Sequence, residues 1–136
     1  MAGVLAAILF WAAGAAAEEV TVRVEDLRND NGSVLVAVCS AEAFLGPHCQ
    51  HRGRAKARTG TAEVTVGEVR PGSYAVQAFH DENDNLDLDR NLLGMPREGI
   101  GFSGDPPMRM GPPRLSDAAV EIGGDGASVT LSMRYF

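Results

Sequence analysis

Val20-Thr21-Val22-Arg23-Val24 alternates apolar and polar side chains, and beyond the turn-forming run Asn29-Asp30-Asn31-Gly32 the chain resumes as Ser33-Val34-Leu35-Val36-Ala37-Val38. Neighbouring side chains of an extended chain point to opposite faces, so a period of two built on β-branched residues predicts strands. Two such runs around an Asn/Gly turn predict a β-hairpin. The pattern recurs further along. Thr61-Ala62-Glu63-Val64-Thr65-Val66 alternates in the same way, and in Arg70-Pro71-Gly72-Ser73 the Pro-Gly pair predicts a type II turn with Gly72 at positive φ. Tyr74-Ala75-Val76-Gln77-Ala78-Phe79 is almost continuously apolar, which predicts a central, well-covered strand. Residues 52–58 carry charge at alternate positions, as an edge strand does to discourage pairing; a solvated basic face is the other reading. Residues 118–122 and 128–135 supply the closing strands.

No stretch has the period of an amphipathic helix of ordinary length. About seven short strands joined by turn signals predict an all-β fold, a single antiparallel β-sandwich of immunoglobulin-like or transthyretin-like type. Aromatic residues make up only 6% of the chain, so the core is expected to rest on Val, Leu and Ala. Residues 80–115 have no period and many Gly and Pro, and read as one long irregular loop. A loop of that length inside a compact domain is usually functional.

Residues 1–17 carry no charged side chain, run apolar from Val4 to Trp11 and end in Ala15-Ala16-Ala17 before Glu18-Glu19. That is the layout of a secretory signal peptide with cleavage after Ala17, and the run is too short to span a bilayer. The expectation is therefore an exported, periplasmic or secreted chain whose folded part, residues 18–136, is one domain with no transmembrane segment. The net charge of −6 argues against nucleic acid and anionic lipid as partners of the bulk surface. Two cysteines, Cys39 and Cys49, would meet an oxidising compartment, and a disulfide between them is the leading reading. The alternative is a metal, because His48-Cys49-Gln50-His51 places two imidazoles beside a thiol.

Most of the net charge sits in His80-Asp81-Glu82-Asn83-Asp84-Asn85-Leu86-Asp87-Leu88-Asp89-Arg90-Asn91, which carries about −4. Asp81, Asn83, Asn85, Asp87 and Asp89 alternate, as oxygens do in calcium loops, where position 7 offers its backbone carbonyl. Leu86 stands at position 6, where the sharp turn asks for Gly, and Leu92 at position 12, where a bidentate Glu belongs. Glu98 is a candidate later carboxylate. The expectation is a structural Ca²⁺ that orders the loop; a solvated acidic turn bonding its own backbone is the competing reading. His80, next to Asp81, is a candidate base or ligand, or simply the satisfied end of a strand. Ser103 in Gly101-Phe102-Ser103-Gly104 falls short of a nucleophile elbow.

Several of these segments together resemble a known family. Pro71-Gly72-Ser73-Tyr74-Ala75-Val76, His80-Asp81-Glu82-Asn83, Leu93-Gly94-Met95-Pro96-Arg97-Glu98-Gly99 and Gly101-Phe102-Ser103 resemble the bacterial domain of unknown function 2141. The resemblance covers nearly all of residues 18–136 and implies an uncharacterised exported protein. Members usually carry Asp-Glu-Asn-Gly-Asn-Gly-x-Leu-Asp in the acidic segment, where this chain has Asp84 and Leu86 in place of the two glycines. The Pro-Gly-x-Tyr turn is also similar to transthyretin-like and carboxypeptidase-regulatory sandwiches. Three functional readings follow. The first is a non-enzymatic periplasmic module that binds an envelope protein or small ligand through the loop. The second is a small metal-assisted hydrolase using His80 and the loop carboxylates. The third is an accessory of envelope stress or metal homeostasis, with its metal at His48 and His51.

Overall fold

A computed structural model describes residues 3–4, 17–46, 48–108 and 111–136 of the chain. The signal-peptide expectation falls on residues 1–17, almost all of which lie outside the described set. The strands are β1 (Glu18–Leu27), β2 (Ser33–Cys39), β3 (His51–Lys56), β4 (Gly60–Val69), β5 (Gly72–Asp81), β6 (Ile100–Phe102), β7 (Ala119–Ile122) and β8 (Ala127–Ser132), with one helical turn, α1 (Leu115–Ala118), before β7. They form a three-stranded sheet in the order β4-β1-β8 and a five-stranded sheet in the order β3-β2-β5-β6, with β7 also on β5. The fold is the expected all-β sandwich. Within it β1 runs parallel to β8, while every other strand pair is antiparallel.

The core follows the alternation. Val20, Val22 and Val24 of β1, Val34, Val36 and Val38 of β2, and Val64, Val66 and Val69 of β4 enter one buried cluster with Val76 and Leu131. Each fully buried aliphatic side chain of this size stabilises the fold by roughly 1.5–3 kcal/mol. A second, smaller cluster lies on the opposite face of β5, where Ala75, Phe102 and Ala118 pack with Phe44, Ile100, Met108 and Leu115. Phe44 and Phe102 meet edge to face at 6.0 Å. Cover on both faces explains the continuous apolar run of β5, which sits centrally between β2 on one side and β6 and β7 on the other.

Three expectations need correcting. β1 and β2 are not a hairpin, since they belong to different sheets. A turn-rich linker between two alternating runs suits a corner between layers as well as a hairpin. Here Asp26, left-handed at φ 61°, coincides with a register shift after Val24, and the chain then swings into the other sheet. Gly32 completes that corner at φ 67°, so close to β5 that a Cβ would lie 1.9 Å from the Asp81 carbonyl oxygen. Second, Gly72 is not among the residues with positive φ, so Pro71-Gly72 is no type II turn. Gly72 opens β5 opposite Ile122, and the corner is held instead by the Tyr74 hydroxyl, which donates to the Arg70 carbonyl at 2.7 Å. Third, the long loop is interrupted: β6 pairs Ile100–Phe102 with β5, a strand too short to leave a period in the sequence.

The basic segment is the edge strand β3, alternating exposed Arg52, Arg54 and Lys56 with half-buried residues. Cys39 and Cys49 form a disulfide, with Cα atoms 5.0 Å apart, tying the end of β2 to the segment before β3.

Candidate functional site

β5 ends at His80-Asp81, and from there the acidic loop leaves the sheet beside the first residue of β2, since Asp81 pairs with Ser33. His80 is fully buried. Its Nε2 meets the Asn31 carbonyl at 2.6 Å and its Nδ1 meets the Tyr135 hydroxyl at 2.8 Å. A carbonyl only accepts, so Nε2 carries the hydrogen, and in the neutral ring Nδ1 accepts from Tyr135. The Tyr135 oxygen in turn accepts the Arg28 N–H at 3.1 Å, and the Arg28 guanidinium lies 4.4 Å from the ring centre. His80 is the satisfied end of a strand, and neither ring nitrogen faces solvent or substrate.

Asp81 is also fully buried and works on the backbone of its own loop. One carboxylate oxygen accepts the Asn85 N–H at 3.2 Å and the other the Leu86 N–H at 2.9 Å. Asn83 accepts the Asn85 N–H at 3.3 Å and Asn85 accepts the Asp87 N–H at 3.0 Å. The Asn83 and Asn85 amides donate to the two oxygens of Asp89 at 2.6 and 2.9 Å. These bonds hold the Asp89 carboxyl below its usual pKa, the Asn85 amide being the largest cause. The Asp87 side chain is exposed. Asp81, Asn83, Asn85 and Asp89 are thus brought into one turn. Among the described residues, however, no three His, Cys, Asp or Glu side chains gather as a metal set. Asp84 at φ 53° and Leu86 at φ 65° are both left-handed. The backbone keeps the turn that glycine would favour, although glycine is absent.

Glu98 closes the loop from the far side. It is only 4% exposed and accepts the Glu82 N–H at 2.6 Å and the Asp89 N–H at 3.1 Å, so one carboxylate joins the start of the acidic turn to its end. Burial pushes its pKa up, against the two N–H bonds that pull it down. Glu82 ties the loop to the β1–β2 corner: it pairs with Arg28 and accepts the Asn29 amide at 2.7 Å. Burial pushes the Glu82 carboxyl up, but the Arg28 and Asn29 hydrogen bonds outweigh it and the net direction is down. Asp84 reaches the five-stranded sheet, accepting from the Ser33 hydroxyl at 2.7 Å and from Arg54 at 3.1 Å. The Ser33 bond is the main reason its pKa is lowered.

Beyond this bonded base the loop carries a second, tight turn. Asn91 accepts the N–H groups of Leu93 and Met95 through its side chain and donates its own N–H to the Met95 carbonyl, while Arg90 bridges Pro96. Leu92 and Leu93 stand at its apex, 103% and 89% exposed, with Leu86 and Met95 exposed nearby in sequence. Its only mark in the sequence is the apolar pair Leu92-Leu93 after an acidic run, where Leu92 also departs from the calcium pattern. Ser103 is buried, donating to the Ala118 carbonyl and accepting the Val76 N–H at 2.9 Å, so its hydroxyl holds β5 to the end of α1. Cys49 is oxidised, and His48 and His51 lie at the other end of β2, away from the acidic loop.

A family model described as "Uncharacterized protein conserved in bacteria (DUF2141)" matches residues 22–130. No curated protein and no solved structure matches the chain.

Proposed function

We propose that this chain, which belongs to the uncharacterised bacterial family DUF2141, is an exported, periplasmic, non-enzymatic β-sandwich module that binds a protein or small ligand through its acidic loop. The observation that carries the reading is the division of labour within that loop. Asp81, Glu82, Asp84, Asp89 and Glu98 are spent on holding its base, whereas Leu92 and Leu93 at its apex touch solvent almost completely. Exposed apolar side chains on a bonded support are a binding feature, because burying them against a partner returns their hydrophobic free energy at little ordering cost. The hydrolase alternative asks for an accessible imidazole beside the carboxylates, and His80 is buried with both nitrogens engaged. The apolar, uncharged residues 1–17 and the disulfide both suit export.

Calcium is the loop's proposed ion. Asp81, Asn83 and Asn85 each spend one lone pair per bonded oxygen on backbone N–H groups and keep another, and the left-handed Leu86 supplies the sharp turn at the sixth position. Asp89 would exchange its two amide donors for the ion. Two experiments test the proposal. Calorimetric titration with calcium should give binding heat and a raised melting temperature that Asp81→Ala with Asp89→Ala abolishes; no heat at several millimolar removes the ion. A photo-crosslinking side chain at position 92 in living cells should give a discrete adduct in the periplasmic fraction. Its absence there, or an equal yield from exposed position 70 on another face, defeats the binding reading.

A further inference from the structure

We propose that the cavity beside the Cys39–Cys49 bridge holds a divalent transition-metal ion, with the imidazoles of His48 and His51 as its protein ligands. The two side chains line one cavity of about 140 Å³ together with Ser40, Gln50 and Tyr74. A water molecule takes about 30 Å³, so this space accommodates an ion with part of its hydration shell. Among the described residues neither imidazole enters a hydrogen bond or ion pair; His51 only packs edge-on against the Tyr74 ring at 6.1 Å. His80, by contrast, has both nitrogens committed.

The fold places His51 on a strand and anchors the residue that follows His48 before any ion arrives. His51 opens β3 in register with Val38, and the next residue of β2, Cys39, is bonded to Cys49. The Cys49 carbonyl accepts from Arg52 at 2.8 Å. Residues 49–51 are therefore held by a covalent bond at one end and a strand ladder at the other, with His48 next to the anchored cysteine, which lowers the ordering cost of binding. The donor set decides the ion. Among the described residues no carboxylate lines the cavity, so it disfavours calcium and magnesium, which take hard oxygen ligands. Neutral imidazoles suit copper(II), nickel(II) and zinc(II), with copper(II) the tightest of the three. Ser40 and Gln50 line the same cavity and, with water, would offer oxygens for the remaining positions, while the Cys49 sulfur is committed to the disulfide.

The site is independent of the acidic loop. Ser33 at one end of β2 pairs with Asp81, and Cys39 at the other end pairs with Ala75, so the two lie about 20 Å apart along the strand. The test uses the chain expressed from its full sequence, without a histidine tag, its disulfide verified by mass. Copper(II) and zinc(II), titrated separately, should each bind at one ion per chain, copper the tighter. His48→Ala and His51→Ala should each weaken binding about tenfold or more, the double variant should abolish it, and Asp125→Ala, which removes an exposed carboxylate, should leave it unchanged. Electron paramagnetic resonance of the copper form should show two imidazole nitrogens. Absence of binding at millimolar metal, retention of binding by a folded double variant, or a copper spectrum with oxygen ligands only would overturn the proposal.

Discussion

At Leu86 the backbone is left-handed, φ 65°, and the side chain is 61% exposed, so the residue bears the strain of the turn and recovers little packing. An L-residue in that region costs about 1–2 kcal/mol relative to glycine, part of which glycine gives back through its freer unfolded chain. Leu86→Gly is therefore expected to stabilise the domain by roughly 0.5–1 kcal/mol, read from urea denaturation. A destabilising result would mean that the leucine side chain contributes packing. Tyr135 makes the opposite case. Its hydroxyl joins the Arg28 N–H to the buried His80 ring, and Tyr135→Phe leaves an imidazole nitrogen unpaired in the interior. The expected loss is about 1–3 kcal/mol in the same measurement. His80 was legible in the sequence as the end of a strand, but its role was not, because its partners Asn31 and Tyr135 lie 49 and 55 residues away. Side chains that distant are brought together only by packing.

The acidic loop behaves as an element with two carboxylates of opposite tendency. Glu82 is held below its ordinary pKa, because Arg28 and Asn29 outweigh the burial that pushes it up. Its contribution to stability is therefore present above the ordinary glutamate value, about 4.3, and is lost as pH falls through the folded value. Glu98 is held above its ordinary pKa by burial, so its contribution is full below about 4.3 and is lost as pH rises through the folded value. Melting temperature followed from about pH 3 to about pH 7 should separate them. Glu82→Gln should flatten the acid side of the wild-type profile and Glu98→Gln the side approaching neutrality. Profiles that match wild type in both variants would show that neither clamp is coupled to folding. The alternating Asp and Asn positions were readable, since spacing alone sets them on one turn. Which oxygens the backbone consumes was not, because Glu98 reaches back 16 residues to the Glu82 N–H.

Across the whole molecule the two sheets meet most closely where edge strand β3 passes β4. A Cβ added at Gly53 would lie 2.7 Å from the Thr65 carbonyl oxygen and 2.9 Å from a Val64 methyl, so Gly53→Ala must push the layers apart. The expected cost is about 1–3 kcal/mol, measured by thermal or urea denaturation, and a neutral outcome would mean that β3 can slide outward freely. In the sequence Gly53 is one uncharged position between Arg52 and Arg54, since a glycine's neighbour across a sandwich leaves no mark in local pattern. The sequence by itself determined the strands other than the short β6, their buried faces, the sandwich class, the disulfide pair and the Asx turn of the loop. All of these follow from local periodicity, short spacing or the chemistry of single residues. Only the tertiary structure decided that β1 and β2 part into different sheets and that β1 runs parallel to β8. It also decided that His80 is sealed, and that His48 and His51 share a cavity while Leu92 and Leu93 do not share a core. Strand pairing and burial are properties of distant segments in contact, and the free energy that selects them is gained only when the two valine-lined sheets close on each other.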